Sequence, residues 1–416
     1  MPADSVLVRG RLVTLDGPQM ARSGEQLRNL SLIDAGAMLF SGGTIQWVGP
    51  AADAPNAYEV IDHSGRVITP GLVDAHTHAV FGGNRANEFE RRALGATYQE
   101  IAAEGGGIQS TVAATRAASE EELVAAGKRY AQWFLTNGTT TLEAKSGYGL
   151  TTKDEVKILR AIARLNRETP LDYVPTFLGA HAFPPEFKDN QKGYVDLICN
   201  EMLPVIAQEG LAECADAFCE ERYFDRAATA RVLNRAKELG LKTKLHADQL
   251  TLCGGATLAA ELRTTTADHL EQTDLAGIRA LKKAGVQPVL LPASVYALGL
   301  SHYPAARTMI DEGLAVVLAS DFNPGSSPTT SLPFVMSLAC THMGMTPAEA
   351  LIACTINAAC ALGRGEDRGS LEIGKRADFV VWDCQDPREI AYWIAAPLAQ
   401  EVYVRGERVF SRARSG

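Results

Sequence analysis

From Gly71 to about residue 320 the chain alternates short apolar runs with longer stretches in which apolar residues recur every three or four positions. The runs at 71–78, 139–145, 171–178, 216–220, 242–246, 264–269, 286–291 and 315–320 have the length and β-branched texture of strands. The stretches between them, such as 151–166, 226–239, 274–284 and 304–313, carry the one-sided pattern of amphipathic helices. Repeated strand-helix alternation predicts an α/β fold of the parallel (β/α)8 TIM-barrel type. An open doubly wound sheet fits less well, because no Gly-x-Gly-x-x-Gly follows the first run. Two further helices, 332–343 and 347–362, are expected after the eighth strand.

The ends of the chain read differently. Residues 4–69 are short β-rich runs broken by turn residues, at 5–10, 43–49 and 67–68, and the same texture returns at 377–383 and 401–406. The two ends are therefore expected to pair into a small β-sandwich domain, 1–69 with 366–416, beside a barrel domain of 70–365. A length of 416 residues with 46% apolar content supports this, since one barrel takes only about 250 residues.

Charge and cysteine content narrow the function. A formal net charge of -9, without a basic cluster interleaved with aromatics, argues against a nucleic-acid partner. No run approaches the ~18 apolar residues of a membrane span, and residues 1–8 lack the basic-then-apolar order of a signal peptide. The eight cysteines are scattered with no Cys-x-x-Cys pair, as expected of reduced thiols in a cytoplasmic protein.

The candidate chemistry collects at strand ends. The first run closes with His76-Thr77-His78, and alternation along a strand would point both imidazoles the same way. The fifth run ends at His246, the sixth at His269, and the eighth at Ser320-Asp321. In a barrel these ends share one mouth. His76, His78, His246 and Asp321 then match the ligands of one catalytic divalent ion, Zn²⁺ or Fe²⁺, with water completing its shell. Singly, each has an ordinary explanation, a hydrogen-bonded core histidine or a turn-capping aspartate. Their joint placement favours the metal.

These residues, with Asp268-His269 and the stretch 369–379, make the sequence resemble the amidohydrolase superfamily. Five further motifs narrow the resemblance to members that open a cyclic amide bearing a propanoate arm: Phe81-Gly82-Gly83-Asn84-Arg85, Gly105-Gly106-Gly107-Ile108, Lys145-Ser146-Gly147-Tyr148-Gly149, Phe177-Leu178-Gly179-Ala180-His181 and Asp321-Phe322-Asn323-Pro324-Gly325-Ser326. Together the motifs span nearly the whole chain. The resemblance implies a small-molecule substrate, a homodimer, and substrate contacts from Arg85, Tyr148, His181, Gln249, Asn323, Gly325 and Ser326. Arg85 suits the carboxylate arm because guanidinium pairs with it bidentately, although a surface ion pair is the commoner fate of an arginine. His181 is equally readable as a structural histidine, and the segment after Asp321 as a plain turn.

Many related enzymes carry His-x-x-Glu on the fifth strand, where this chain has His246-Ala247-Asp248-Gln249. An amide cannot shuttle protons, so Gln249 is expected to orient substrate, with Asp321 as base and His269 holding the oxyanion or the attacking water. Lys145 is not expected to bridge two metals, because the bridging lysine of relatives belongs at the end of the fourth strand, occupied here by Cys219-Glu220. Asp248 reads either as a turn residue or as a partner of a histidine. The three glycines at 105–107, ahead of a helix starting near Ile108, would permit a lid. A nucleobase aminohydrolase on the same fold and a non-catalytic scaffold are the alternatives; retention of all the ligands counts against the scaffold.

Overall fold

The alternating pattern resolves into two sheets in the computed structural model, which describes residues 4–96, 100–101 and 105–413. In chain order the strands are β1 (Val6–Val13), β2 (Leu32–Ser41), β3 (Thr44–Pro50) and β4 (Glu59–Pro70), then β5 (Leu72–Asp74), β6 (Thr139–Lys145), β7 (Asp172–Ala180) and β8 (Cys214–Cys219). They continue as β9 (Lys242–Ala247), β10 (Thr266–His269), β11 (Gln287–Leu290), β12 (Val317–Leu318), β13 (Phe379–Trp382), β14 (Ala399–Val404) and β15 (Glu407–Ser411). Strands β5 to β12 lie side by side in sequence order as one eight-stranded parallel sheet, the TIM barrel expected from the alternation. Every residue of β6 and of β8 is buried, because the barrel interior covers one face and helices the other.

The helices start where local chemistry dictates. Ser119 and Glu122 form a capping box at the head of Glu120–Thr136, and the Thr151 hydroxyl accepts from Asp154 N at the head of Thr152–Glu168. The latter helix then buries Val156, Ile158, Leu159, Ile162 and Leu165 against the barrel. The predicted helix 347–362 is instead two, Pro347–Ala353 and Ile356–Ala361, because Thr355 between them leaves helical geometry. The predicted helix 304–313 is confined to Ala306–Asp311.

The first and last barrel strands are shorter than their apolar runs, and the reason bears on function. β5 ends at Asp74, and Val73 N donates to Cys354 O at 2.8 Å, on an edge that the ladder would otherwise use. Closure falls to the residues just beyond both strands. Asp321 N donates to His76 O (3.0 Å) and His78 N to Phe322 O (2.9 Å), with a parallel bridge between Thr77 and Phe322. The barrel is thus sewn shut at its mouth by the candidate ligands themselves.

The terminal strands form a seven-stranded mixed sheet, ordered β15-β14-β13-β4-β1-β2-β3, with only β1 and β4 parallel. Phe40 on β2 and Phe379 on β13 are three strand steps apart, about 14 Å in a flat sheet. Their ring centroids are 5.7 Å apart, so the sheet curls over its own core of Val8, Leu12, Met38, Phe40, Ile68, Phe379 and Tyr403. On β13, Phe379 and Val381 face that core, whereas Val380 and Trp382 face the barrel. Trp382 lies against Gly138 of the barrel, and its Nε1 is held within the terminal sheet by donating to Thr69 Oγ1 on β4 at 2.8 Å. A second tie joins Asp172, at the start of β7, to Arg368 (2.6 Å) and Arg376 (2.7 Å).

Candidate active site

Backbone closure at the mouth brings His76 and His78 beside Asp321, and the ends of β9 and β10 supply His246 and His269. All five are buried. His76 Nε2 and His78 Nε2 each lie 3.5 Å from the same atom, Asp321 Oδ1. Ligand atoms of His76, His78 and His246 are all within 4.8 Å of one another, as are those of His76, His269 and Asp321. Ligands about 2.0–2.1 Å from a tetrahedral ion sit roughly 3.4 Å apart, so this spacing suits one ion. Nε2 of His76 and of His246 is buried without a hydrogen-bond partner, a cost that a cation at this point would remove. Burial holds the His76 and His78 imidazoles well below their ordinary pKa, which keeps them neutral, as ligands must be. The donor set therefore fits a divalent metal.

The backbone at the site is held in unusual conformations. Asp321 (φ 54°) and His269 (φ 77°) both adopt left-handed geometry, which costs a non-glycine residue of order 1–3 kcal/mol. Burial raises the Asp321 carboxyl against the pull of His269 and His246. Burial also opposes a charge on His269, but Glu271, with Oε1 at 3.4 Å from Nδ1, outweighs it and raises this imidazole.

Beneath the ligands lies a group of charges to which sequence reading gave no role. Asp268 Oδ2 accepts from His76 Nδ1 at 2.6 Å, and Asp216 Oδ2 lies 2.9 Å from His246 Nδ1. Lys145 Nζ sits between these carboxylates, 2.7 Å from Asp216 Oδ2 and 2.8 Å from Glu143 Oε2. Burial works against its charge, yet the three acids around it raise its pKa and favour the ammonium. A signal for this layer was present in the sequence. Glu143, Lys145, Asp216 and Lys244 are charges inside strands of a sheet expected to be covered on both faces, and Glu143 and Lys145 recur at the period that sends both to one face.

Above the ligands opens a cavity of about 480 Å³. Its wall includes Arg85, Tyr148, His181, Gln249, Asn323, Gly325 and Ser326, every substrate contact expected from the sequence, together with His78, His246, His269 and Asp321. His181 Nδ1 donates to Gly147 O at 2.9 Å, which leaves Nε2 as an acceptor. Burial pushes this imidazole down to about 3, and its ring stacks on His78 with centroids 5.1 Å apart. Arg85 is half-buried and donates through Nε to Glu88 Oε2 at 2.7 Å. The amides of Gly325 and Ser326 donate to Asn323 Oδ1 (2.8 and 2.7 Å), so they build the turn and do not point into the cavity. A second guanidinium, Arg92, and Ala96, Ile108, Phe218, Tyr223, Leu250, Leu298 and Leu300 complete the wall, most of them with no motif to announce them.

Two ambiguous residues find clear places. Asp248 accepts from Gly255 N (2.7 Å), Ala256 N (3.1 Å) and Thr273 Oγ1 (2.9 Å), which makes it a cap on the helix Gly255–Leu262 and not a histidine partner. Glu220, at the expected position of a bridging lysine, accepts from Leu250 N (2.7 Å) and Thr251 N (3.2 Å) and thereby shapes the loop that carries Gln249. The glycine segment leads into a helix beginning at Ile108, where Gly107 N donates to Glu88 Oε1 at 3.0 Å.

The description "Amidohydrolase family" matches residues 67–409. This chain belongs to the amidohydrolase family. Within the family it is 55% identical to imidazolonepropionase of Solibacter usitatus (strain Ellin6076) over 416 residues, 99% of this chain and 100% of that one. It is 48% identical to imidazolonepropionase of Pseudomonas putida, over 91% of this chain and 95% of the relative. Among solved structures, a zinc-bound adenosine deaminase from Xanthomonas campestris superposes with a TM-score of 0.70 over 98% of this chain and 93% of its own. Its 19% identity makes that a likeness of fold alone. This amidohydrolase is placed among the imidazolonepropionases by the first two comparisons.

Proposed function

We propose that the chain hydrolyses 4-imidazolone-5-propanoate to N-formimino-L-glutamate, the ring-opening step of histidine degradation. The observation that carries the reading is 55% identity to an imidazolonepropionase along the full length of both chains. The cavity supports it, because a cationic guanidinium and a cluster of imidazoles line one space.

His76, His78, His246 and Asp321 would hold one divalent ion, Zn²⁺ or Fe²⁺, which when bound supplies an acidified water and a Lewis acid for the ring carbonyl. Arg85 pairs with the propanoate and fixes which ring carbon faces the ligands. His181 and Tyr148 hold the ring, and Gln249 orients it by donating and accepting hydrogen bonds without moving a proton. Arg85 rests on Gly325, and Asn323 and Ser326 line the same cavity. Asp321 takes the proton from water as its oxygen adds to the carbonyl carbon, and His269 donates to the developing oxyanion. The carbon-nitrogen bond of the ring then breaks, and Asp321 returns the proton to the departing nitrogen. One water is consumed, and a carboxylate and a formimino nitrogen are left. We take the enzyme to be a cytoplasmic homodimer, to be checked by light scattering at twice the chain mass.

The test is a spectrophotometric assay on freshly prepared 4-imidazolone-5-propanoate, coupled to elemental analysis of the same sample. Loss of ring absorbance with about one equivalent of zinc or iron is the expected result. Ammonia release from a panel of nucleobases, with no change on the imidazolone, would replace this reading by an aminohydrolase.

A further inference from the structure

Each of the two carboxylates under the metal-ligand histidines uses one oxygen for two purposes. Asp216 Oδ2 faces His246 Nδ1 (2.9 Å) and Lys145 Nζ (2.7 Å), and Asp268 Oδ2 faces His76 Nδ1 (2.6 Å) and Lys145 Nζ (3.7 Å). Lys145 alone, among the described residues, is an ammonium within 4.0 Å of both. The third acid in the group, Glu143, is also bound by Lys244 Nζ (2.8 Å) and Thr176 Oγ1 (2.6 Å), so its charge does not depend on Lys145 alone. The side chains of Lys145, Asp216, Asp268 and His76 are wholly shielded from solvent, leaving bulk water no part in compensating these charges. Lys145 is also fixed at its backbone, where its N–H donates to Thr77 O at 2.9 Å, between the two first-strand histidines.

We propose that Lys145 is a positioning residue of the metal centre: one buried ammonium seats Asp216 and Asp268, and through them sets the ring orientation and the Nδ1–H tautomer of His246 and His76. A carboxylate can only accept, so Asp268 fixes the proton on His76 Nδ1 by a hydrogen bond and Asp216 favours it on His246 Nδ1 by its charge at 2.9 Å, leaving the Nε2 lone pairs for the ion. With the ammonium gone, Asp216 loses its 2.7 Å partner and Asp268 loses the ammonium at 3.7 Å, while Lys244 remains nearby on Glu143. The carboxylates then shift from their seats, and the shift releases the imidazoles. The inference rests on the reading that His76 and His246 bind the metal.

The experiment compares full-length wild type with Lys145→Met, a side chain of similar reach without charge. Zn²⁺ affinity is measured by competition with a chromogenic chelator, and the imidazole tautomers by ¹⁵N NMR of histidine-labelled, metal-stripped protein. His76→Asn and His246→Asn variants assign the two resonances. Lys145→Met is expected to bind Zn²⁺ about 10–100-fold more weakly and to show Nε2–H on His76 or His246. A folded Lys145→Met that binds Zn²⁺ within about threefold of wild type, with both tautomers unchanged, overturns the proposal. Should Lys145→Met not fold, wild type and Asp268→Asn decide. Nδ1–H on both rings together with at least a tenfold loss of Zn²⁺ affinity in Asp268→Asn supports the proposal, and Nε2–H on either wild-type ring, or a smaller loss, overturns it. Wild type that binds no Zn²⁺ or Fe²⁺ at all would instead overturn the metal site itself, a distinguishable result.

Discussion

At the scale of single residues, Arg85 and Gly325 form one device. A Cβ built on Gly325 would stand 2.0 Å from Arg85 Nη1, so the guanidinium is laid directly on the glycine. Gly325 has no left-handed backbone to protect, and the close approach is the reason for its size. Removing the guanidinium with Arg85→Ala deletes a charge-assisted pair of about 1.5–3 kcal/mol, so KM should rise about 10–100-fold with kcat little changed. Gly325→Ala should move the guanidinium without unfolding anything: KM rises while the melting temperature stays where it was. An unchanged KM in both variants would send the substrate carboxylate elsewhere. Asp321→Ala removes a metal ligand and the proton carrier together. Turnover should fall by at least about 10²–10⁴-fold, with metal content falling as well, and near-normal turnover would exclude the proposed role.

The lesson of the residue scale repeats at the scale of elements, where caps and closures decide geometry. Asp248 interrupts a histidine-bearing strand with a left-handed residue (φ 49°) and spends both carboxylate oxygens on the helix Gly255–Leu262 and Thr273. Asp248→Ala should cost about 1–2 kcal/mol in denaturant unfolding, with the metal still bound. Loss of metal out of proportion to stability would mean that it also orients a ligand. The sequence could not distinguish these two roles, since an aspartate two residues after His246 suits either. The strand ends were misread for a related reason. An apolar run shows what is buried, but β5 and β12 stay short because Val73 N is spent on Cys354 O and Ser320 N on Asp74 Oδ1, facts set by distant partners.

At the scale of the whole molecule, the barrel and the curled terminal sheet are joined by Trp382 packed against Gly138 and by Asp172 with its two arginines. Burial alone would raise the Asp172 carboxyl, but Arg368 and Arg376 overcome it and hold the group below the usual carboxylate range. A depressed folded pKa gives stability that is complete above the unfolded value, near 4, and is lost as pH falls through the folded one. Asp172→Asn should therefore be less stable than wild type by about 2 kcal/mol at pH 7, a value discounted for partial exposure. The gap should close progressively below pH 4 in urea melts. A gap independent of pH would mean that packing, not charge, makes this tie.

The sequence by itself determined the elements and their class. Strand-helix alternation at the right periods forces a parallel barrel, the β texture of both termini forces a separate sheet, and histidines at strand ends follow the strands to one mouth. Only the tertiary structure decided which charges face one another. That Lys145 lies under two histidine partners, that Gly325 carries Arg85, and that the ligands themselves close the barrel are juxtapositions of residues from about 70 to 240 positions apart. Local pattern encodes burial and direction along one segment; it carries no record of the register between segments, which is settled only when the closed barrel fixes every strand against its neighbours.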